Sequence, residues 1–493
     1  MTELPDLTAV ELADGIRQRR ASSQEVLEAH LRRIAARNPA INAIVTLDEA
    51  GARQRARQAD EALARGEIWG PLHGVPVTIK DVFETAGLRS TSSFKPLASY
   101  VPKQDATVVR RLRQAGAIIL GKTNTPELAN DEQTNSPLFG RTNNPWNLER
   151  TPGGSSGGSA AAIASGMSPL DVGSDIGGSV RNPAHFCGVF SLKPGDQRVP
   201  FSGHIPPPPG SKGRGLLRHF LTPGPLARSV ADLRLAFTLI AGPDERQWEV
   251  PPVPLASAPT RPLRELRIAW TDDLGLPVAA EIRAGLAGLA QALGKAGCHV
   301  ERCAPPDFDF LHALELYGEI KQAAFSVHST PMNLPRFFWR AFAGLIPHSN
   351  PTTRGLVRGS GIGLQEYARA MSQRDVLIAK MELFLAEWDA WLVPVAARPA
   401  YPHLPARNPI EQIRATVEVD GARMPYLLAT SVYTGLFNLT GNPVVVLPLG
   451  RSAEGLPFGV QVVGRRWQEM ALLNAAEQLT QVTGPFQFPP NLP

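Results

Sequence analysis

Helical and strand-like apolar patterns alternate along this chain, and that alternation restricts it to one fold class. In DATVVRRLRQAGAIILGKT, from Asp105, apolar residues first recur at helical spacing and then close up into the run AIIL. A short, uninterrupted apolar run reads as a buried strand. GVPVTIKD from Gly74 is another such run, and LRIAW opens a strand, helix and strand sequence that ends at HVERC. Repeated strand, turn and helix signals make this an α/β chain.

Other segments attach to that frame. TAVELADGIRQRR and SSQEVLEAHLRRIAARN, between Thr8 and Arg37, read as two amphipathic helices, the second capped by Ser22 or Ser23. Their spacing predicts an antiparallel pair on a larger body. GPDERQWEVPPVPLASAPTRP, Gly242 to Pro262, has connector composition but need not divide domains. FNLTGNPVVVLPLG, GVQVVG and a helix over Trp467 to Gln481 are expected to return to the main sheet. No repeat of solenoid period is present.

Composition excludes several classes of function. A chain of 493 residues with 43% hydrophobic content can bury a large core without covalent staples. Basic residues exceed acidic ones by five, 50 against 45, but are scattered in stretches such as RQRR and RRIAAR, so a solvated surface is expected and not a nucleic-acid footprint. Cys187, Cys298 and Cys303 give no disulfide framework, and CHVERC lacks the second ligand pair of a zinc site. None of the ten histidines falls at HExxH spacing, so neither metal nor cofactor is expected. MTELPDLTAVELADG lacks signal-peptide order, and no apolar run nears the ~18 residues of a membrane span. The expectation is a soluble, cytoplasmic protein, monomer or homodimer, with a small-molecule substrate.

Two motifs mislead. GAIILGKT, Gly116 to Thr123, satisfies GxxxxGK[ST], but a phosphate loop needs pliant backbone between its glycines and here that place is taken by a strand. GSSGG fits GxSxG with Ser156 central, yet the preceding NPWNLERTPG is not a strand, and a downstream histidine such as His403 lies in a proline-rich loop. An esterase built on Ser156 is therefore the weaker mechanism.

GSDIGGSVRNP offers a better nucleophile. It follows PLDV, a predicted strand, and precedes a helical turn, placing Ser179 at a strand-to-helix junction. Glycine permits unusual backbone angles, so the N–H groups of Ile176, Gly177, Gly178 and Ser179 can converge into an oxyanion cradle. Serine needs a base, and no histidine is placed for it. Lys80 closes the apolar strand GVPVTIK, and burial there would favour the neutral amine, a usable general base.

With these residues in place, the chain resembles the amidase signature family. The matching stretches are GVPVTIKD, GAIILGKTNTPELA, TNNPWN, TPGGSSGGSAAAIASGMSPLDVGSDIGGSVRNPAHFCGVFSLKP, TPGPLARSVADL, FNLTGNPVVVLPLG and GLPFGVQVVG, in order over roughly Leu7 to Thr483. The resemblance implies one α/β/α domain over 1–493 on a twisted mixed sheet: N-terminal helices in 7–70, a signature core in 71–240, a connector in 241–262, a substrate-shaping part in 263–430 and the return in 431–493. It also implies a Ser-Ser-Lys triad at Ser179, Ser155 and Lys80. Ser179 would attack the carbonyl, and Ser155, after a cis Gly154–Ser155 bond, would relay its proton to neutral Lys80. Water would then release the acyl group. Ser156 would support the network, the Ile176–Ser179 amides would hold the oxyanion, and Ala129 and Asn130 fall at substrate-facing positions. Asp175 and Arg181 read as a structural pair beside the nucleophile.

Cleavage of carboxylic amide C–N bonds is the implied activity, with ester or carbamate cleavage by the same chemistry. Aromatic residues between Phe308 and Pro351, among them Phe308, Phe310, Tyr317, Phe337, Phe338 and Trp339, are expected to line the entrance and favour bulky apolar or aryl substrates, or else to be core. The alternative is the glutaminase subunit of a tRNA-dependent amidotransferase, although that subunit's sequence is not recognisable around Glu366 to Met381.

Overall fold

The computed structural model describes residues 3–210, 215–255, 258–326, 350–405, 409–490 and Leu492. Fifteen strands are described, labelled in chain order β1 (Ile44–Leu47), β2 (Pro76–Lys80), β3 (Ile118–Thr123), β4 (Asn135–Ser136), β5 (Gly140–Arg141), β6 (Leu170–Asp175), β7 (Phe190–Lys193), β8 (Thr222–Ala227), β9 (Arg267–Trp270), β10 (His299–Arg302), β11 (Ala390–Pro394), β12 (Thr416–Val419), β13 (Ala422–Pro425), β14 (Val444–Arg451) and β15 (Pro457–Val463). Eleven form one sheet in the order β1-β3-β2-β6-β8-β7-β14-β15-β11-β9-β10. The sheet is mixed and flanked by helices, so the chain is α/β as its pattern predicts. β4–β5 and β12–β13 are separate two-stranded hairpins.

Strand burial follows composition. All residues of β2, β3, β6 and β15 are buried, as expected of strands covered on both faces by helices. GAIILGKT is strand, with Lys122 buried, donating to the Phe83 carbonyl and lying 3.5 Å from Asp81 Oδ1. A cation held this way is not presented to phosphate. The helix Tyr426–Leu439, YLLATSVYTGLFNL, is apolar on nearly all sides and correspondingly buried almost throughout.

The first helices differ from expectation in their partners. Ala9–Arg17 and Ser23–Ile41 both open on capping boxes, Thr8 with Glu11 and Ser22 with Glu25. Ser23–Ile41 packs on the helix Glu49–Ala64, whereas Ala9–Arg17 docks on Val230–Ile240, where Val10 N–H donates to Asp232 Oδ1 at 2.9 Å. An amphipathic stripe states that one face is covered, not by what. The 242–262 stretch has no helix or strand among its described residues, and β9, β10 and β11 beyond it join the main sheet.

β2 runs parallel to both β3 and β6, pairing Lys80 with Thr123 and Ile79 with Val172. All three therefore end at the same edge of the sheet. Lys80 is the last residue of β2, and Asp175 the last of β6, directly before Ile176–Ser179. The carboxyl edge of parallel strands is where α/β folds place ligand chemistry.

Candidate active site

Lys80, Ser155, Ser156 and Ser179 converge at that edge. Lys80 is fully buried and its Nζ lies 2.6 Å from Ser155 Oγ, with Ser174 Oγ at 3.4 Å. Burial pushes the Lys80 amine down to about 7, against the opposing pull of Asp175, Asp171 and Glu132. Ser156 N–H donates to the Ser179 carbonyl at 3.1 Å, which ties the Gly/Ser turn to the loop after β6. Ser155 and Ser156 are buried, whereas Ser179 is partly exposed. Of these serines, only Ser179 can meet a substrate from solvent.

The peptide bond Gly154–Ser155 is cis. A β-carbon on Gly154 would fall 2.6 Å from the carbonyl oxygens of both Asp131 and Gln133, so no larger residue fits there. Thr134 closes the clamp: its Oγ1 donates to the Gly153 carbonyl at 2.9 Å and accepts from Gly157 N–H at 3.0 Å. Ala129 and Asn130 stand just before this 131–134 segment, half-buried and exposed respectively.

Carbonyl anchors set the direction of the cradle. Tyr317 donates its hydroxyl hydrogen to the Ile176 carbonyl at 2.9 Å, and Thr434 Oγ1 donates to the Gly177 carbonyl at 2.7 Å. The Gly178 carbonyl accepts from Asn182 N–H at 2.7 Å. In a trans peptide the N–H points opposite to the carbonyl, so these anchors turn the Gly177 and Ser179 N–H groups the other way. Gly178, at φ +120°, has a conformation that side chains rarely adopt, and its N–H is already held by Asp175 Oδ1 at 2.9 Å. Donors for an oxyanion thus narrow from four to Ile176, Gly177 and Ser179, which have no partner among the described residues.

Asp175 and Arg181 form a fully buried ion pair. Arg181 donates to both carboxylate oxygens, at 2.9 and 3.1 Å, and extends to the Thr434 carbonyl, Gln461 Oε1 and Asn438 Oδ1. Burial alone would raise the Asp175 carboxyl, but the adjoining guanidinium holds it well below the usual range. This network pins both ends of the nucleophile loop. Sequence reasoning did not find Tyr317's anchoring role, Thr434, Asn182 or Glu132, whose Oε2 accepts from Asn182 Nδ2 at 3.1 Å; Tyr317, Thr434 and Glu132 lie far apart in the chain and carry no motif, while Asn182 lies within GSDIGGSVRNP without standing out from it.

Of the aromatic residues expected at the entrance or in the core, Phe308 falls in the core. Phe308 is buried, its ring tilted against Phe310 at 4.9 Å, and Phe310 continues onto the fully buried Trp391. Phe310 itself is half-buried against that core, and Tyr317 is buried behind the cradle. Phe337, Phe338 and Trp339 lie outside the described residues. Likewise, among the described residues no histidine bonds to Ser155, Ser156 or Ser179, and His403 pairs with the Leu148 carbonyl at 3.2 Å. Among the described residues a Ser156 esterase therefore has no histidine base.

One consequence concerns Tyr317. Tyr317→Phe removes a hydrogen bond worth about 0.5–1.5 kcal/mol while keeping the ring's packing. A fall in kcat of up to roughly tenfold with little change in KM is expected, because the anchored amides matter most when charge develops on the substrate oxygen. Steady-state kinetics would show it; a rise in KM alone would place Tyr317 outside the cradle's function.

Comparison with known proteins follows the same geometry. The Amidase family profile matches residues 25–473. A glutamyl-tRNA(Gln) amidotransferase subunit from Roseiflexus castenholzii is 34% identical over 508 residues, spanning 98% of this chain and 97% of its own. The solved 6-aminohexanoate cyclic dimer hydrolase, complexed with substrate, is 28% identical with a TM-score of 0.79 and covers 100% of both chains. A bacterial aryl acylamidase of the amidase signature enzymes shares the fold, with a TM-score of 0.80 at 24% identity over 97% of this chain and 96% of that one.

Proposed function

The chain belongs to the amidase signature family, enzymes that hydrolyse C–N bonds, and on that premise we propose that it cleaves carboxylic amides through an acyl-enzyme on Ser179. The observation that carries this reading is a fully buried lysine amine 2.6 Å from Ser155, on a turn bonded to the nucleophile's own backbone. Neutral Lys80 accepts the Ser155 proton as Ser155 accepts that of Ser179. Attack forms a tetrahedral oxyanion facing the Gly177 and Ser179 amides. Collapse expels the amine, which takes the returning proton, and water repeats the sequence to free the acid. An ester or carbamate would enter by the same route.

Two acyl donors compete. The curated relatives favour glutamine, with the chain acting as the glutaminase subunit of an amidotransferase and passing ammonia to partner subunits. A free hydrolase of other amides has support from the cyclic dimer hydrolase, similar along its whole length. The bulky-aryl preference has lost Phe308, which is buried, as a support.

Intact-mass measurement of the purified chain, incubated alone with glutamine, aryl amides, aliphatic amides, esters and carbamates, tests the reading. A covalent mass increment mapped to Ser179 is expected, and its size names the acyl group. Turnover of several amides without partners favours the free hydrolase; glutamine turnover only on adding amidotransferase partner subunits favours the glutaminase. Hydrolysis with no increment on Ser179 under rapid quench would defeat the acyl-enzyme.

A further inference from the structure

The Lys80 amine has a second neighbour, and behind it stands a histidine. Ser174 Oγ lies 3.4 Å from Lys80 Nζ and 2.9 Å from His204 Nε2. His204 Nδ1 is 2.9 Å from the Pro206 carbonyl, and the ring packs edge-on against Phe83 at 5.2 Å. Ser174 and His204 are both buried. His204 belongs to RVPFSGHIPPPPG, which follows the nucleophile segment and contributes no group to the triad.

Hydrogen-bond direction follows from the one partner that can only accept. A carbonyl cannot donate, so Nδ1 carries the hydrogen, and in that tautomer Nε2 is the acceptor. Ser174 then donates to His204 and is left with lone pairs toward Lys80, where it accepts an N–H. A neutral amine has two N–H groups and one lone pair. With an N–H directed at Ser174, the lone pair is free for Ser155, 2.6 Å away. Without the histidine acceptor, the Ser174 hydrogen could turn into the Lys80 lone pair and compete with the proton that Ser155 must deliver.

We propose that His204 is a positioning residue, orienting the lone pair of Lys80 toward Ser155 through Ser174. This rests on the reading of Lys80 as the base. The test is His204→Phe, which keeps the ring and removes the acceptor, assayed on p-nitroacetanilide or, if the panel above identifies one, its best-turned-over amide. A drop in kcat of roughly tenfold with KM within about twofold is expected, since the loss is one oriented hydrogen bond. His204→Gln can place an acceptor near the Nε2 position and should recover most of the rate. In a Ser174→Ala background, His204→Phe should add no further loss, because both act through one contact. Full kcat in His204→Phe, or in Ser174→Ala should the former not fold, overturns the relay, as do multiplying effects of the two. Failure of the underlying reading is distinguishable: it would appear as turnover persisting in Ser179→Ala, whereas failure of the relay alone leaves Ser179→Ala inactive.

Discussion

Ser179→Ala is expected to lower kcat/KM by roughly 10⁴-fold or more, the scale on which removal of an activated serine acts in hydrolases that share no fold with this one. The argument is one of access and alternatives. Ser155 and Ser156 are buried, and Ser155 is already engaged by Lys80, so neither can replace the missing hydroxyl at the surface. Residual rate would come from the cradle orienting water. Folding should be untouched, because the loop's position depends on its carbonyl anchors and on the Asp175–Arg181 pair and not on the Ser179 side chain. Ser156→Ala should by contrast keep activity within about tenfold, since Ser156 Oγ makes only a 3.5 Å contact with the Ser174 carbonyl. Kinetics beside thermal melting would check both. Turnover in Ser179→Ala within tenfold of the parent chain would end the acyl-enzyme reading.

What could be read from sequence divides by how the information is carried. Lys80 and Ser179 were legible because each sits in a short contiguous stretch whose local pattern, strand end or Gly/Ser junction, states its environment. Ser155 needed the family resemblance, since a Gly/Ser run is otherwise a linker. Tyr317, Thr434 and Asn438 reach the 176–179 loop and its flanking Asp175 from 141 to 263 residues away. No periodicity marks such a residue, and only tertiary packing decides where its oxygen or nitrogen points. Phe308 was ambiguous for the converse reason. Aromatic composition announces burial, and a cavity wall and a packed core are the same signal until the partner, here Trp391, is known.

The buried network around Arg181 shows why the loop can be glycine-rich and still rigid. Gly177 and Gly178 have little side-chain packing of their own, and free backbone would blur the aim of their amides. Arg181, Asn438 and Gln461 compensate by tying Asp175 to the helix Tyr426–Leu439 and to β15. A buried ion pair with one partner removed leaves an uncompensated charge. The arrangement therefore links the loop's geometry to the stability of the core.

Lys80→Met should abolish turnover, by about 10³-fold or more, and at the same time make the protein more resistant to heat at neutral and acidic pH. Both effects have one cause. The amine titrates near 10.5 when solvated, and burial brings it to about 7 in the fold. Between these values the unfolded chain binds a proton that the folded chain does not, so stability contributed by this group rises with pH across that window. Below about 7 the fold carries a buried cation whose desolvation it must offset, and a methionine of similar length removes that burden without opening a cavity. In the parent enzyme kcat/KM should fall about tenfold per pH unit below about 7, as the base becomes protonated. Glu132, which burial also pushes up to about 7, supplies the control: Glu132→Gln should keep an acid limb, with its midpoint moved to lower pH because that carboxylate no longer holds the amine up. An acid limb that vanishes in Glu132→Gln would transfer the titration to that carboxyl. A methionine variant that melts below the parent at pH 6 would mean that the lysine is held as a stabilising cation, and neutral-base catalysis would then have no base.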